Sequence, residues 1–371
     1  MQNNTTDVIA NWPTSNISYP SKVKILEMVA PTALIIDRVI SPLWYCLGFI
    51  GNIITVKIWL SRKVRRTNPS AIYFGTLAIV QFIYLVFHII MELQIAWDIQ
   101  TYERPHLCKV FNFLFISPQY LVPLLVLGFT VERYIAVCHP FMKENLCTVT
   151  RAKIVIVCFS LCSLVLGSIQ TYTWEYSSVI SGCTIVNEEF HTIWTWLTES
   201  ILFFLAPAMV LVINILVIRE IRRLSVEGAV RLPNQQTSGT SNVVSTITLL
   251  CVSFYFICTL LPATIVYALQ SAIRQGDPTL PIPEWVNDPI WKNYFKYLTI
   301  RKVVEEICLS NYAAYFFIYF LTGVFFRREC LKLFKLRRLL VKSRLNHNGS
   351  SEYSLVQSKT MATEVTLTTP C

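Results

Sequence analysis

Charge is scarce in this chain. Only 15% of its 371 residues are Asp, Glu, Lys or Arg, while 54% are hydrophobic, and a soluble domain does not carry so few charges over so much apolar surface. No Lys or Arg occurs between Lys153 and Arg219. Histidine is thin as well: His88, His106, His139, His191 and His347 are scattered, none at metal-ligand spacing from a cysteine. The chain also lacks a Walker loop, an HExxH motif and any paired nucleophile and base. These absences argue against a soluble enzyme, a metal centre and a nucleotide-driven machine, and leave a membrane protein without covalent chemistry or cofactor.

What is present is apolar length. Seven windows, at roughly 35–60, 70–94, 107–131, 152–173, 194–218, 243–269 and 301–323, are each long enough for a hydrocarbon core of about 30 Å, which needs about 20 helical residues. The runs are continuous rather than alternating, which excludes a transmembrane β-barrel. The expected fold is an all-α membrane protein: a polar arm over 1–34, a seven-transmembrane helix bundle over 35–324, an amphipathic membrane-surface helix over 325–340 and a disordered tail over 341–371.

Basic residues set the orientation. They gather after span one (Arg62, Lys63, Arg65, Arg66), span three (Lys143, Arg151, Lys153) and span five (Arg219, Arg222, Arg223, Arg231), and again from Arg327 to Arg344. Positive charge stays on the cytoplasmic side, so the net charge of +10 is a topology signal rather than a nucleic-acid signature. The chain is expected in the plasma membrane with its N-terminus extracellular and its C-terminus cytoplasmic. Sequons at Asn3, Asn4 and Asn16 agree with this, because glycan is attached only in the secretory lumen. The arm has no apolar core of the kind a cleavable signal needs, so span one is expected to act as the anchor.

Of twelve cysteines, only Cys108 and Cys183 fall on the outer side, where thiols oxidise. A disulfide between them would pin the second outer connection to the head of span three. From Cys108 to Arg133 is one membrane crossing, roughly 37 Å of helix. Glu132, Arg133 and Tyr134 therefore sit at the cytoplasmic mouth. An ionisable pair there is tolerated best when its members neutralise each other, so Glu132 is expected to hold Arg133 in the closed bundle and release it when a partner enters.

With GFIGN (48–52), Pro207, Pro262, and Tyr319 followed by Phe326, these residues resemble the rhodopsin-like G-protein-coupled receptors over all seven spans. The stretches VERYIAVCHP (131–140), LCTVTRAK (146–153) and NYAAYFFIYFLTGVFFR (311–327) look like those of invertebrate FMRFamide-type neuropeptide receptors. The resemblance implies that a ligand among the outer helix ends favours a state in which span six, hinged near Pro262 and beside the Pro207 bend of span five, swings outward at its inner end. Arg133, Tyr134 and Tyr319 would then receive a heterotrimeric G protein. A shift from 1:99 to 99:1 needs about 5.5 kcal/mol of differential affinity.

The departures from that pattern carry expectations of their own. Gln81 stands where these receptors usually have a buried Asp, beside Val122, Asn311 and Tyr315, so little sodium sensitivity is expected. Phe316 replaces the usual proline of span seven, so any bend there needs another cause. Leu260 replaces a tryptophan, and Asn242 replaces an acid that would hold Arg133 from span six, which makes basal activity an expectation.

Phe115 stands where amine receptors resembling this chain carry Asp, and Leu309 where opsins carry Lys, so neither an amine nor retinal fits. Acids lie instead at membrane depth on the outer side: Glu92, Glu199, Glu305 and Glu306. A cationic, arginine-bearing or amidated peptide would partner them, with Phe115 and Gln119 of span three as further contacts. Glu199, with no cation near it in sequence, leads that set. The alternative is internal pairing of Glu305 or Glu306 with Arg301 or Lys302. The long connection over 270–300, with Trp285 and Trp291 among prolines, is expected to offer a peptide contact area, though such a loop is also often a lid.

On the inner side, 219–242 is expected to be a flexible connector. Residues 325–340 alternate Phe and Leu with Arg and Lys, as a helix on anionic lipid does, and Cys330 is a candidate for palmitoylation. Arrestin docking and phosphorylation of the Ser/Thr-rich tail by a receptor kinase are what the resemblance implies. Two other functional readings stay open: a divergent, weakly coupling receptor with a non-peptide ligand, and a seven-span transporter, for which no internal repeat or pair of broken helices is visible.

Overall fold

Pro31, Pro69 and Pro289 open the helices of spans one, two and seven, where a missing backbone N–H costs nothing. The computed structural model describes residues 22–178, 182–230, 236–277 and 279–335. Asn3, Asn4 and Asn16, residues 336–340 of the basic segment and the 341–371 tail lie outside them, as does the side chain of Asn242. Spans one to four are Pro31–Trp59, Pro69–Ile95, Leu107–Cys138 and Val149–Ser168. Span five runs in three consecutive pieces, Glu188–Thr198, a π-helical turn Glu199–Leu205, and Ala206–Val230; span six is Gln236–Leu269; span seven is Pro289–Ser310 followed by Tyr315–Thr322.

Six of these helices are long and apolar enough to cross a membrane. Span seven carries Arg301, Lys302, Glu305 and Glu306 and is broken, so its membrane role is seen only from the bundle it completes. Helix extends past the apolar windows in several places. Spans five and six take up most of the expected 219–242 connector, and span seven starts at Pro289 rather than at 301, because amphipathic ends continue a helix beyond the hydrocarbon.

Burial follows the inside-out logic of a bilayer. Along span one Ile35, Val39, Leu43, Leu47 and Ile50 are exposed, whereas Asp37, Ser41, Asn52 and Thr55 are buried. The lipid takes the apolar stripe and the neighbouring helices take the polar one. Span three is the axis of the bundle, with Phe115, Val122, Leu125 and Phe129 buried in the main core. Gly48 and Gly51 let span one close on its neighbours: a Cβ at Gly48 would lie 2.4 Å from Leu85 Cδ1, and one at Gly51 2.8 Å from Phe316 Cβ.

Span seven breaks at 311–314 without a proline. The backbone there tightens to Asn311 N–H to Cys308 O, Tyr312 N–H to Leu309 O and Ala313 N–H to Ser310 O. Side chains of other helices take the carbonyls this displaces: Gln81 Nε2 donates to Asn311 O at 2.9 Å and Asn52 Nδ2 to Tyr312 O at 3.0 Å. Polar insertion into the ladder is thus the cause of the bend.

The end of the bundle that the charge pattern places outside, called the outer side below, holds two small structures. Strands β1 (Trp174–Ser177) and β2 (Gly182–Ile185) form an antiparallel hairpin with Tyr176 opposite Cys183, and Cys183 is disulfide-bonded to Cys108 with a Cα–Cα distance of 5.8 Å. The second is an aromatic core built from a helix of the N-terminal arm, Lys22–Val29, from Trp285 in the connection after span six, and from Trp291, Tyr294, Phe295 and Leu298 at the start of span seven. Trp285 and Trp291 stack at 4.2 Å and are 2% and 1% exposed. This corrects the expectation that they offer a peptide contact area, since they are the interior of a folded cap. Arg38 fastens the arm from span one by donating to Glu27 and to Ala96 O, both at 2.9 Å.

After Gly323 the chain is helical again over 324–335, with Phe326 and Cys330 buried and Phe325, Leu331 and Phe334 exposed. Cys330, expected as a lipid anchor, faces the bundle and packs in its main core.

Candidate functional site

At the inner mouth, Arg133 is half-buried and donates through Nη2 to Ser70 Oγ at the start of span two. No ion pair joins it to Glu132 among the described residues, and Glu132 Oε2 and Arg133 Nε have no hydrogen-bond partner. The expected Glu132 latch is therefore not formed. The reason is helical geometry: consecutive residues do not face each other, so the arginine reaches across to span two instead. Tyr134 sets its ring edge-on to His139 at 5.6 Å. Tyr319 is fully buried against Phe74 (4.9 Å), Phe326 (5.5 Å) and Trp59 (5.9 Å), and its hydroxyl has no partner.

In mid-bundle, Gln81 is buried and occupied with Asn311 O, and Asn311 Oδ1 accepts from Tyr315 at 2.6 Å. A neutral, internally satisfied network stands where a carboxylate would be needed to bind sodium.

The outer half contains a cavity of about 490 Å³, counting space open to solvent. Span one contributes Asp37, span two His88 and Glu92, span three Phe115 and span six Tyr267; Lys302, Glu305 and Glu306 come from span seven. Lys302 bridges Asp37 at 2.8 Å and Glu305 at 3.2 Å, while Arg301 reaches Glu305 at 2.8 Å. Arg301 also donates to Gln270 Oε1 at 3.0 Å and lies over the Tyr267 ring at 4.7 Å, and the Tyr267 hydroxyl donates to Glu305. Two acids and two cations thus neutralise each other across spans one and seven.

Glu92 and Glu306 are left over. Glu306 accepts from Ser41, but its Oε2 and the Oε1 of Glu92 have no hydrogen-bond partner. An aromatic column leads down to this place: Tyr102 on Phe111 at 4.0 Å, Phe111 on Phe115 at 5.8 Å, Phe115 on Tyr84 at 5.5 Å and Tyr84 on Tyr312 at 3.8 Å.

Of the sequence candidates, Glu92, Phe115, Glu305 and Glu306 line the cavity. Glu305 is consumed by internal pairing, the alternative that the sequence left open. Glu199 does not line it; it sits half-buried at the start of the π-helical turn of span five. Gln119 is buried beside Phe115, with its amide directed to Phe115 O at 3.4 Å, and also stays out of the lining. Asp37, His88 and Tyr267 were missed. A signal for the first was available: Asp37, Ser41 and Tyr45 recur every four residues, one polar stripe on an otherwise apolar helix.

Residues 51–295 match the seven-transmembrane receptor (rhodopsin) family. Among similar proteins, the pyrokinin-1 receptor of Drosophila melanogaster is 28% identical over 212 residues, 56% of this chain and 49% of that receptor. A neuromedin U receptor homologue of Caenorhabditis elegans is 29% identical over 35% of this chain and 31% of its own length. The thyrotropin-releasing hormone receptor of Gallus gallus is 31% identical over 36% and 30%, respectively. The matched stretch thus spans half or less of each relative. With a family match over well over half of the chain, on a bundle whose third span is pinned by Cys108–Cys183 and ends in Glu132-Arg133-Tyr134, the chain belongs to the rhodopsin family of seven-transmembrane receptors.

Proposed function

We propose that this chain is a plasma-membrane receptor for a cationic neuropeptide and that it activates a heterotrimeric G protein by a ligand-driven shift of population. The observation that carries the ligand class is the charge balance of the outer cavity. Both of its cations are already paired, and Glu92 and Glu306 each keep an unpartnered carboxylate oxygen. An arginine or ammonium group supplies what they lack. Relatives named as receptors for pyrokinin, neuromedin U and thyrotropin-releasing hormone support the peptide. The basic inner connections and the outer disulfide support an extracellular N-terminus and a cytoplasmic C-terminus. Span six moving about Pro262 would open the inner mouth, where Arg133 would exchange Ser70 of span two for the G protein. Arrestin, a receptor kinase and inner-leaflet lipid are the further partners proposed for the tail and the basic helix.

The test is a G-protein activation assay in transfected cells against a panel of amidated cationic peptides, with Arg133→Ala alongside. A response in wild type that Arg133→Ala abolishes is the expected result. Surface-expressed wild-type receptor that stays silent to every cationic peptide, yet responds to a neutral one, overturns the ligand class.

A further inference from the structure

Glu92 and Glu306 present a physical problem when no ligand is bound. They are 5% and 6% exposed, both line the outer cavity, and each has one oxygen without a hydrogen-bond partner. Two carboxylates cannot both stay ionised at membrane depth, each with an oxygen that no donor reaches, without a penalty of about several kcal/mol.

Lys302 attracts both carboxylates through space, but no surrounding group among the described residues donates a hydrogen bond to either free oxygen. From span one, Asp37 is itself an acid paired to Lys302, Ser41 already donates to the other oxygen of Glu306, and the Tyr45 hydroxyl is bonded to His88 Nδ1 at 2.8 Å. Span two adds Tyr84, whose ring stacks on Tyr312, and His88 with that same bond to Tyr45. Span three faces the cavity with Phe115, which cannot titrate. From span six, Tyr267 donates to Glu305. On span seven Lys302 and Arg301 are held by Asp37 and Glu305, and Cys308 carries no charge to offer while protonated.

We propose that Glu92 and Glu306 form a cation-exchange site. In the empty receptor the pair holds a proton, and the ammonium or guanidinium of an entering ligand takes that proton's place. The exchange balances: a carboxylic acid and a cation become a carboxylate–cation pair and one proton, which leaves to solvent. The net charge of the buried site is then the same before and after binding, so the ligand head enters without leaving excess charge at membrane depth. The inference rests on the reading that this cavity takes a cationic ligand, and it adds what occupies the site beforehand and how ligand and proton compete.

The experiment uses the full chain, purified into lipid nanodiscs. The probe is Nα-acetyl-L-argininamide, with neutral Nα-acetyl-L-citrullinamide as control, followed by infrared difference spectroscopy of the protonated-carboxyl stretch. At neutral pH the unliganded wild type is expected to show a buried protonated carboxyl that is weakened in Glu92→Gln and in Glu306→Gln. The argininamide should bleach that band and the citrullinamide should not. Because one proton is exchanged, the affinity for argininamide should fall by about tenfold per pH unit on the acid side of the titration. Absence of the band in wild type overturns the proposal without recourse to any variant, and so does a band that survives saturating argininamide. If the band persists while a cationic peptide activates the G protein, the exchange fails and the receptor reading stands. If the band bleaches while no peptide activates it, the exchange stands and the proposed signalling fails.

Discussion

The two ends of this bundle solve the same problem in opposite ways. Both place charged residues among helices that lipid surrounds. At the outer end charges meet charges: Asp37, Lys302, Glu305 and Arg301 form a buried network joining spans one and seven, with Tyr267 and Gln270 of span six attached. At the inner end no acid forms an ion pair with Arg133 among the described residues, and a neutral hydroxyl, that of Ser70, accepts its hydrogen bond. A charged partner holds hard and is costly to lose, whereas a neutral one holds lightly and is readily exchanged. The outer end is thus built for rigidity around a site, and the inner end for release.

The largest expected effect comes from breaking the outer end. Lys302→Ala leaves Asp37 buried and unpaired and takes one of two cations from Glu305. Removing one partner of a buried pair costs about 3–5 kcal/mol, seen as a large drop in thermal midpoint and in surface expression. A Lys302→Leu/Asp37→Leu double variant should regain much of that loss; if it is no better than the single change, the pairing is not what matters.

At the inner end the expected effect is smaller in stability and larger in signal. Ser70→Ala removes a hydrogen bond to a charged group, about 1.5–3 kcal/mol, from the resting state alone. Basal G-protein signalling should rise by about tenfold or more, and an unchanged baseline would show that Ser70 is not the restraint. Between the two ends, replacing sodium by potassium should leave ligand potency unchanged in wild type, because Gln81 is neutral and spent on Asn311 O. Gln81→Asp is the variant in which a sodium effect should emerge.

The smallest effect sharpens the contrast. Tyr319→Phe deletes a buried hydroxyl that bonds to nothing in this conformation, so the thermal midpoint should not fall. Coupling to the G protein should nevertheless weaken, since an unpaired buried hydroxyl is tolerated best where another state uses it. A variant that is fully competent in coupling would remove Tyr319 from the switch.

The membrane class, the bundle and the Cys108–Cys183 bridge were legible in composition, apolar length and topology, because hydrocarbon enforces those rules along every span. The cavity was half legible. Glu92, Phe115, Glu305 and Glu306, which line it, could be singled out because an acid or an unusual substitution at membrane depth stands out in one dimension. Glu199 stood out for the same reason and lies elsewhere, since depth does not say which way a helix faces. Asp37 was passed over because it precedes the apolar centre of span one, and only packing brings it to Lys302. The break in span seven could be asked about but not solved from sequence, because Gln81 and Asn52 act on carbonyls that lie 230 and 260 residues further along the chain.

Pro207 has one more consequence. It cannot supply the N–H that would normally satisfy the carbonyl four residues earlier, that of Phe203, and the hydroxyl of Thr264, two residues beyond Pro262, reaches it at 3.1 Å, its one proton shared between Phe203 O and Leu260 O of its own helix at 3.2 Å. A missing atom in span five is thus supplied on loan from span six. The loan makes the two helices behave like meshed gears rather than free-turning rods: span six cannot rotate Thr264 away without withdrawing the donor from Phe203. Rotation then favours discrete steps over a continuous slide, which is the mechanical behaviour that a two-state signal requires.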